Sequence, residues 1–111
     1  MVSAAYPRRF EVWLVTLDPT LGSEIAKTRP CVVVSPDAAN KFLRTVLVAP
    51  LTHTQKRYPT RVNCTFQQQP GQVALDQLRA VDTVRLVKHL GELEEATGRE
   101  VCAVLGEMFA W

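Results

Sequence analysis

The apolar residues of this chain fall into short runs rich in β-branched and aromatic side chains, each stopped within a few positions by a turn former. Phe10 to Leu17 ends at Asp18-Pro19, Cys31 to Val34 at Ser35-Pro36, and Thr45 to Leu51 runs into a polar stretch. Runs this short have the length of strands, and none approaches the roughly 18 to 20 residues that cross a bilayer. Arg61 to Phe66 and Gln72 to Asp76 flank Gln67 to Gly71 (QQQPG) as a hairpin around an exposed loop, and Leu86 to Leu93 supplies another strand. Five or more short strands predict a barrel or compact sandwich.

Two helices interrupt this pattern. Ser35 followed by Pro36 reads as an N-cap with proline at the first helical position, which predicts a short helix over Asp37 to Leu43. Near the C-terminus, Thr97-Gly98-Arg99-Glu100 matches a capping box, and Val101, Val104, Leu105 and Met108 then recur at helical spacing. That single apolar stripe must pack against the sheet, with Trp111 finishing the packing. The predicted architecture is mainly β: one small barrel spanning 1–111, with a short internal helix and a C-terminal α-helix.

At 111 residues the chain is too short for two independent cores but long enough for one without metal or disulfide staples. Cys31, Cys64 and Cys102 are odd in number and contain no CxxC pair, which suits a reducing cytoplasm. The first ten residues carry arginines with no apolar segment of the secretory kind behind them, so no targeting or membrane segment is expected.

Charge is unevenly placed. Residues 1–37 balance at four positive and four negative. Residues 38–75 hold Lys41, Arg44, Lys56, Arg57 and Arg61 with no carboxylate, and 76–111 come to four minus seven, or −3. A basic centre in a chain of net +2 fits either a local phosphate-binding patch or a solvated loop.

Several chemistries are excluded by their missing motifs. His53 and His89 have no HxH or HExxH partner, and the cysteines lie 33 and 38 apart, so no metal site is expected. There is no phosphate-loop, dinucleotide or GxSxG signature, and no cofactor is expected. Polar residues instead gather where the strands end: Glu24, Lys27 and Arg29 in the loop Thr20 to Thr28, Thr52 to Arg57 after the third strand, and Asp76 to Arg79 after the hairpin. Singly, these fit a surface ion pair (Glu24 with Arg29) and turn formers. Together, they could supply what metal-free RNA cleavage needs: a base, a fixed cation for the phosphorane oxygens, and a hydrogen-bond donor.

The segments EVWLVTLDPTLGSEIAKTRPCVVVSP (11–36), VAPLTHTQKRYPTRV (48–62) and VALDQLRAVD (73–82) resemble, in order, the MazF/PemK family of toxin endoribonucleases. The resemblance implies an SH3-like barrel and a homodimer. It implies sequence-specific, metal-independent cleavage of single-stranded mRNA, leaving a 2′,3′-cyclic phosphate and a 5′-hydroxyl, and neutralisation by a cognate antitoxin. Glu24 matches the motif glutamate, Arg29 the arginine of RP and Thr52 the threonine after the third strand, the expected catalytic set. The PemK-type branch uses an aspartate, an arginine two residues before it and a histidine just before the motif glutamate. Here Asp76 is present but Ala74 and Ser23 hold the other two positions, so Asp76 and Gln77 are expected to shape the pocket or contact a base.

RNA beyond the cleaved bond is expected along Lys27, Thr54, Lys56, Arg57, Tyr58, Arg61 and Arg79. Tyr58 is the better stacking surface, since Trp13 alternates within a strand as core residues do. A gyrase-binding toxin of the same general fold, like CcdB, is the alternative that needs no hydrolytic site.

Overall fold

The computed structural model describes residues 5–111; the first four, part of the stretch read above for a targeting segment, lie outside it. Its elements are β1 (Glu11–Thr16), β2 (Thr28–Val33), α1 (Asp37–Asn40), β3 (Thr45–Thr52), β4 (Arg61–Phe66), β5 (Gln69–Ala74), β6 (Arg79–Asp82), β7 (Leu86–Glu92) and α2 (Glu95–Met108). The antiparallel order is β4-β5-β3-β2-β1-β7, with β6 also on β3. β3 is the hub: Cys31 to Val33 of β2 pair with Val48 to Pro50, β6 pairs with Thr45 to Val48, and β5 pairs with Leu51 and Thr52. Three partners on one strand curl the sheet into a half-barrel. Its edges approach where the Gln67 side-chain amide donates to the Leu90 carbonyl at 3.3 Å.

The core lies on both sides of β2. Val32 joins Val12, Val34, Ala49, Val62, Val73, Leu75, Leu93 and Val101 in one cluster. Its neighbours Cys31 and Val33 join Val15, Leu17, Val46, Val48 and Val81 in the other. Successive strand residues face opposite ways, so a strand covered on both faces reads as the unbroken apolar run CVVV. The helical stripe is as predicted: Val101 is buried, and Val104, Leu105 and Met108 pack on the first cluster.

Local signals were less faithful. α1 covers only Asp37–Asn40, Pro36 occupies the cap position, and no side chain caps it. The Ser35 hydroxyl is used elsewhere, donating to Asn40 Oδ1 at 2.6 Å and accepting from the Leu47 amide at 3.1 Å, which ties α1 to β3. The QQQPG loop shrinks to a two-residue turn. Gln67 and Gln68 both take positive φ, 50° and 65°, the conformation of a tight hairpin, so β5 starts at Gln69.

The capping box does not form. α2 begins at Glu95 after Glu94, placing Thr97 inside its first turn. Starting there buries Gly98 against Phe10, where a Cβ would sit 2.9 Å from the ring, so the helix docks only on glycine. β6, only four residues between two 3₁₀ turns, was not predicted. Trp111 is fully exposed instead of packing. Among the described residues no helix is long and apolar enough to cross a membrane.

Candidate active site

Arg29 and Thr52 come from the ends of adjacent strands. β2 and β3 pair through Cys31 and Pro50, each two residues along its strand from Arg29 and Thr52. Both line one rim pocket, with His53, Cys64, Phe66 and Gln69. Thr52 Oγ1 accepts from the Thr54 amide at 3.2 Å, which leaves its own hydroxyl hydrogen to donate. Arg29 Nε donates to the Ala26 carbonyl at 3.2 Å, and its Nη groups take no partner among the described residues. A planar fork beside a hydroxyl donor suits a phosphate.

The pocket depends on a close approach of β5. A Cβ on Gly71 would lie 2.8 Å from the Thr52 carbonyl oxygen and 4.0 Å from His53 Nδ1. Only glycine lets the two backbones meet at this rung.

The loop between β1 and β2 is tied down at many points. Its base closes through Leu17 N–H to the Lys27 carbonyl at 2.8 Å, and Asp18 Oδ1 accepts from the Lys27 amide at 2.9 Å. Lys27 itself takes φ 69°. Arg79 donates to the Leu17 carbonyl at 3.1 Å, Arg85 to the Asp18 carbonyl at 2.7 Å, and Gln77 Oε1 accepts from the Ile25 amide at 3.2 Å. Two expected RNA contacts, Arg79 and Gln77, thus serve the loop.

Glu24 is not brought to the pocket. Its Oε1 accepts from the Leu21 amide at 2.6 Å, and it lines the neighbouring cleft with Asp76, Gln77 and Arg79. No ion pair among the described residues joins it to Arg29, so the surface-pair reading does not hold either.

A second cleft opens beyond the pocket, lined by Lys56, Arg57, Tyr58, Asn63 and Gln72 among others. Gln72 is buried and clamps the loop after β3. Its amide nitrogen donates to the Lys56 carbonyl and to Asn63 Oδ1, and its oxygen accepts from the Lys56 amide, each at 3.0 Å. Lys56, Arg57, Thr54 and Tyr58 remain exposed.

Arg61, expected on phosphate, is already engaged. Its side chain is 8% exposed, with Nε 2.7 Å from Asp76 Oδ1 and Nη2 3.2 Å from Oδ2. Burial raises the Asp76 carboxyl's pKa, but hydrogen bonds from Arg61 and Thr60 and the guanidinium charge outweigh it and hold the group below its ordinary range. Trp13 is also occupied, stacked on His89 with centroids 5.1 Å apart and donating to Glu11 at 3.0 Å.

Two polar pocket residues, Cys64 and Gln69, escape the sequence reading, whereas His53 falls within the polar stretch Thr52 to Arg57 without a role of its own there. Cys64 and Gln69 arrive through strand pairing that no local motif announces. Burial raises the Cys64 thiol's pKa and pushes that of Cys31, in the core, up to about 12 against a weaker pull from Arg79. All three cysteines are free.

A β half-barrel whose rim sets a guanidinium with no ion-pair partner among the described residues and a hydroxyl beside a basic cleft has a donor set that suits a phosphate. A family model described as PemK-like, MazF-like toxin of type II toxin-antitoxin system matches residues 8–109. The chain is 34% identical over 100 residues to Endoribonuclease MazF of Staphylococcus epidermidis, covering 85% of this chain and 83% of that one. It is 36% identical over 99 residues to Endoribonuclease MazF9 of Mycobacterium tuberculosis, covering 80% and 84%. The fold matches the crystal structure of MazF from Deinococcus radiodurans with TM-score 0.81 at 27% identity, covering 94% of this chain and 96% of that one. A mycobacterial endoribonuclease in complex with its cognate antitoxin matches at TM-score 0.79 and 25% identity, covering 95% and 98%. The chain therefore belongs to the PemK-like, MazF-like toxins of type II toxin-antitoxin systems.

Proposed function

We propose that this toxin is an endoribonuclease that cuts single-stranded mRNA in a sequence-specific manner without a metal ion, at the pocket shared by Arg29 and Thr52. The observation that carries the reading is that both residues line one pocket at the ends of adjacent strands, with the Nη groups of Arg29 unpartnered among the described residues and the Thr52 hydroxyl hydrogen free to donate. Arg29 holds the non-bridging oxygens of the scissile phosphate and offsets the charge that grows there, and Thr52 adds a hydrogen bond. The 2′-oxygen attacks phosphorus and the bond to the 5′-oxygen breaks, giving a 2′,3′-cyclic phosphate and a 5′-hydroxyl. Glu24 holds the β1–β2 loop through Leu21 and shapes the adjoining cleft.

The RNA continues into the cleft of Lys56, Arg57 and Tyr58, where cations meet phosphates and the exposed ring stacks on an unpaired base. A cognate antitoxin blocks this path, as membership of a type II system and the antitoxin-bound mycobacterial relative support. A second copy of the chain completes the assembly. Exposed Phe42, Leu43, Leu47 and Val84, gathered by the pairing of β3 with β6, give it an apolar face. Free thiols and an mRNA substrate support a cytoplasmic location. The matches are to MazF endoribonucleases, and no observation favours the gyrase-binding alternative.

The test is incubation of the purified protein with a defined long RNA in EDTA, with Arg29→Ala alongside and cut sites and end groups mapped. Cuts at a recurring motif with 5′-hydroxyl ends, absent from Arg29→Ala, are expected. Intact RNA in EDTA that is cut only on adding a divalent ion would refute the metal-free reading.

A further inference from the structure

Cleavage through the 2′-oxygen needs an acceptor for the hydroxyl proton, and the carboxylate expected to serve, Glu24, lies in the neighbouring cleft. No Asp or Glu lines the pocket of Arg29 and Thr52. Its other groups can be taken in turn. A guanidinium stays protonated at working pH, and threonine hydroxyls and glutamine amides do not titrate there. Burial pushes the Cys64 thiol's pKa up, away from working pH. That leaves His53, the one lining side chain of a type that ordinarily exchanges its proton between pH 5 and 8.

His53 Nδ1 lies 3.3 Å from the Pro70 carbonyl oxygen, which can only accept, so the contact is a hydrogen bond in the tautomer that carries its hydrogen on Nδ1. In the neutral ring Nε2 then holds the lone pair. The imidazole is oriented by the β5 backbone, as catalytic bases are oriented by a third group. The charged and titratable groups facing it are Arg29 from β2 and Cys64 from β4. β5 contributes Gln69, Pro70 and Gly71, and β3 contributes Thr52, none of them charged.

We propose that His53 is the general base of this endoribonuclease, accepting the 2′-hydroxyl proton at Nε2. The inference rests on the RNA-cleaving reading above. As the O2′–P bond forms and the P–O5′ bond breaks, the 2′-proton passes to Nε2. The departing 5′-oxygen takes a proton from water, and the imidazolium then returns its proton to the resulting hydroxide. No oxidant, reductant or metal enters the balance.

The experiment is single-turnover cleavage of a short RNA with one mapped cut site, in EDTA, from about pH 5 to 9. The wild type should show a rate that rises with pH through the imidazole range and then levels. His53→Gln should lower the plateau by about 10²-fold or more and remove the rising limb. It should bind the same oligonucleotide, 2′-deoxy at the cut site, within about twofold of the parent. Free imidazole should restore part of the rate to His53→Ala. His89, stacked on Trp13 and 3.6 Å from Glu11, is the control, and His89→Gln should keep the limb.

Parental rate and limb in His53→Gln, or loss of the limb in Glu24→Gln alone, would overturn the assignment. If the wild type leaves RNA intact, or Arg29→Ala cuts as fast, the functional reading has failed instead. Should the His53 variants not fold, His89→Gln leaves one histidine to follow by NMR. Its titration midpoint must match the kinetic limb within about one pH unit, and a mismatch also overturns the proposal.

Discussion

Gly71→Ala tests the joint on which the pocket is built. The new Cβ would lie 2.8 Å from the Thr52 carbonyl oxygen and 3.6 Å from its carbon. Carbon and oxygen rest about 3.3 Å or more apart, so β3 and β5 must part by roughly half an ångström at this rung. The obstacle is backbone paired on two sides, with Thr52 opposite Gln72 and Gly71 opposite Cys64, and it cannot rotate away. Overpacking of this kind costs about 1–3 kcal/mol. For a chain of this length that lowers Tm by roughly 4 °C per kcal/mol. Because Thr52 and His53 ride on the displaced backbone, single-turnover cleavage should fall by about tenfold, in proportion to the roughly 10²-fold loss expected for a full ångström. Gly106→Ala is the matched control: nothing lies within 4 Å of its Cβ, so the same chemical change should stabilise α2 by up to about 1 kcal/mol and leave cleavage alone. Thermal unfolding and cleavage of both variants decide it. A Gly71→Ala protein with parental Tm and rate would refute the argument from close approach.

Asp76→Asn should cost about 1–3 kcal/mol, because the nearly buried Arg61 loses its carboxylate, and denaturant unfolding would show it. Since the folded carboxyl is held low, its contribution is complete above the ordinary range near pH 4 and is lost as pH falls through the folded value. The variant should lack that part of the acid-side slope, and an unchanged slope would contradict the pairing. Lys56→Ala with Arg57→Ala should reduce the log–log salt slope of RNA binding by about 1.4, whereas Arg61→Ala should leave the slope and cost stability. Native protein at pH 8 should label with a thiol reagent at Cys102 far faster than at Cys31, which mass spectrometry reads directly, and equal rates would contradict the buried thiol.

Periodicity carried most of the fold. CVVV, buried on both faces in β2, and the stripe Val101, Val104, Leu105 and Met108 are read from the chain because burial imposes them everywhere along the element. Boundaries failed where tertiary contacts overrode local signals. Gly98 looks like part of a cap in the sequence but is a landing site for Phe10, and Ser35 looks like a cap but braces α1 against β3. The same holds for the site. Arg29 and Thr52 stand out at strand ends, and one pocket takes both in its lining. Arg61 stands out as a free cation only until Asp76, 15 residues later, is folded onto it. His53 gains its meaning from Pro70, a partner 17 residues away that no spacing rule suggests.

The account turns on a planar, two-pronged cation gripping the scissile phosphate. The most direct measurement is single-turnover cleavage by Arg29→Lys in EDTA, which keeps the charge and removes the fork. A loss of about 10²-fold or more, with binding of a non-cleavable RNA nearly unchanged, is the predicted result. Cleavage at the parental rate would contradict it.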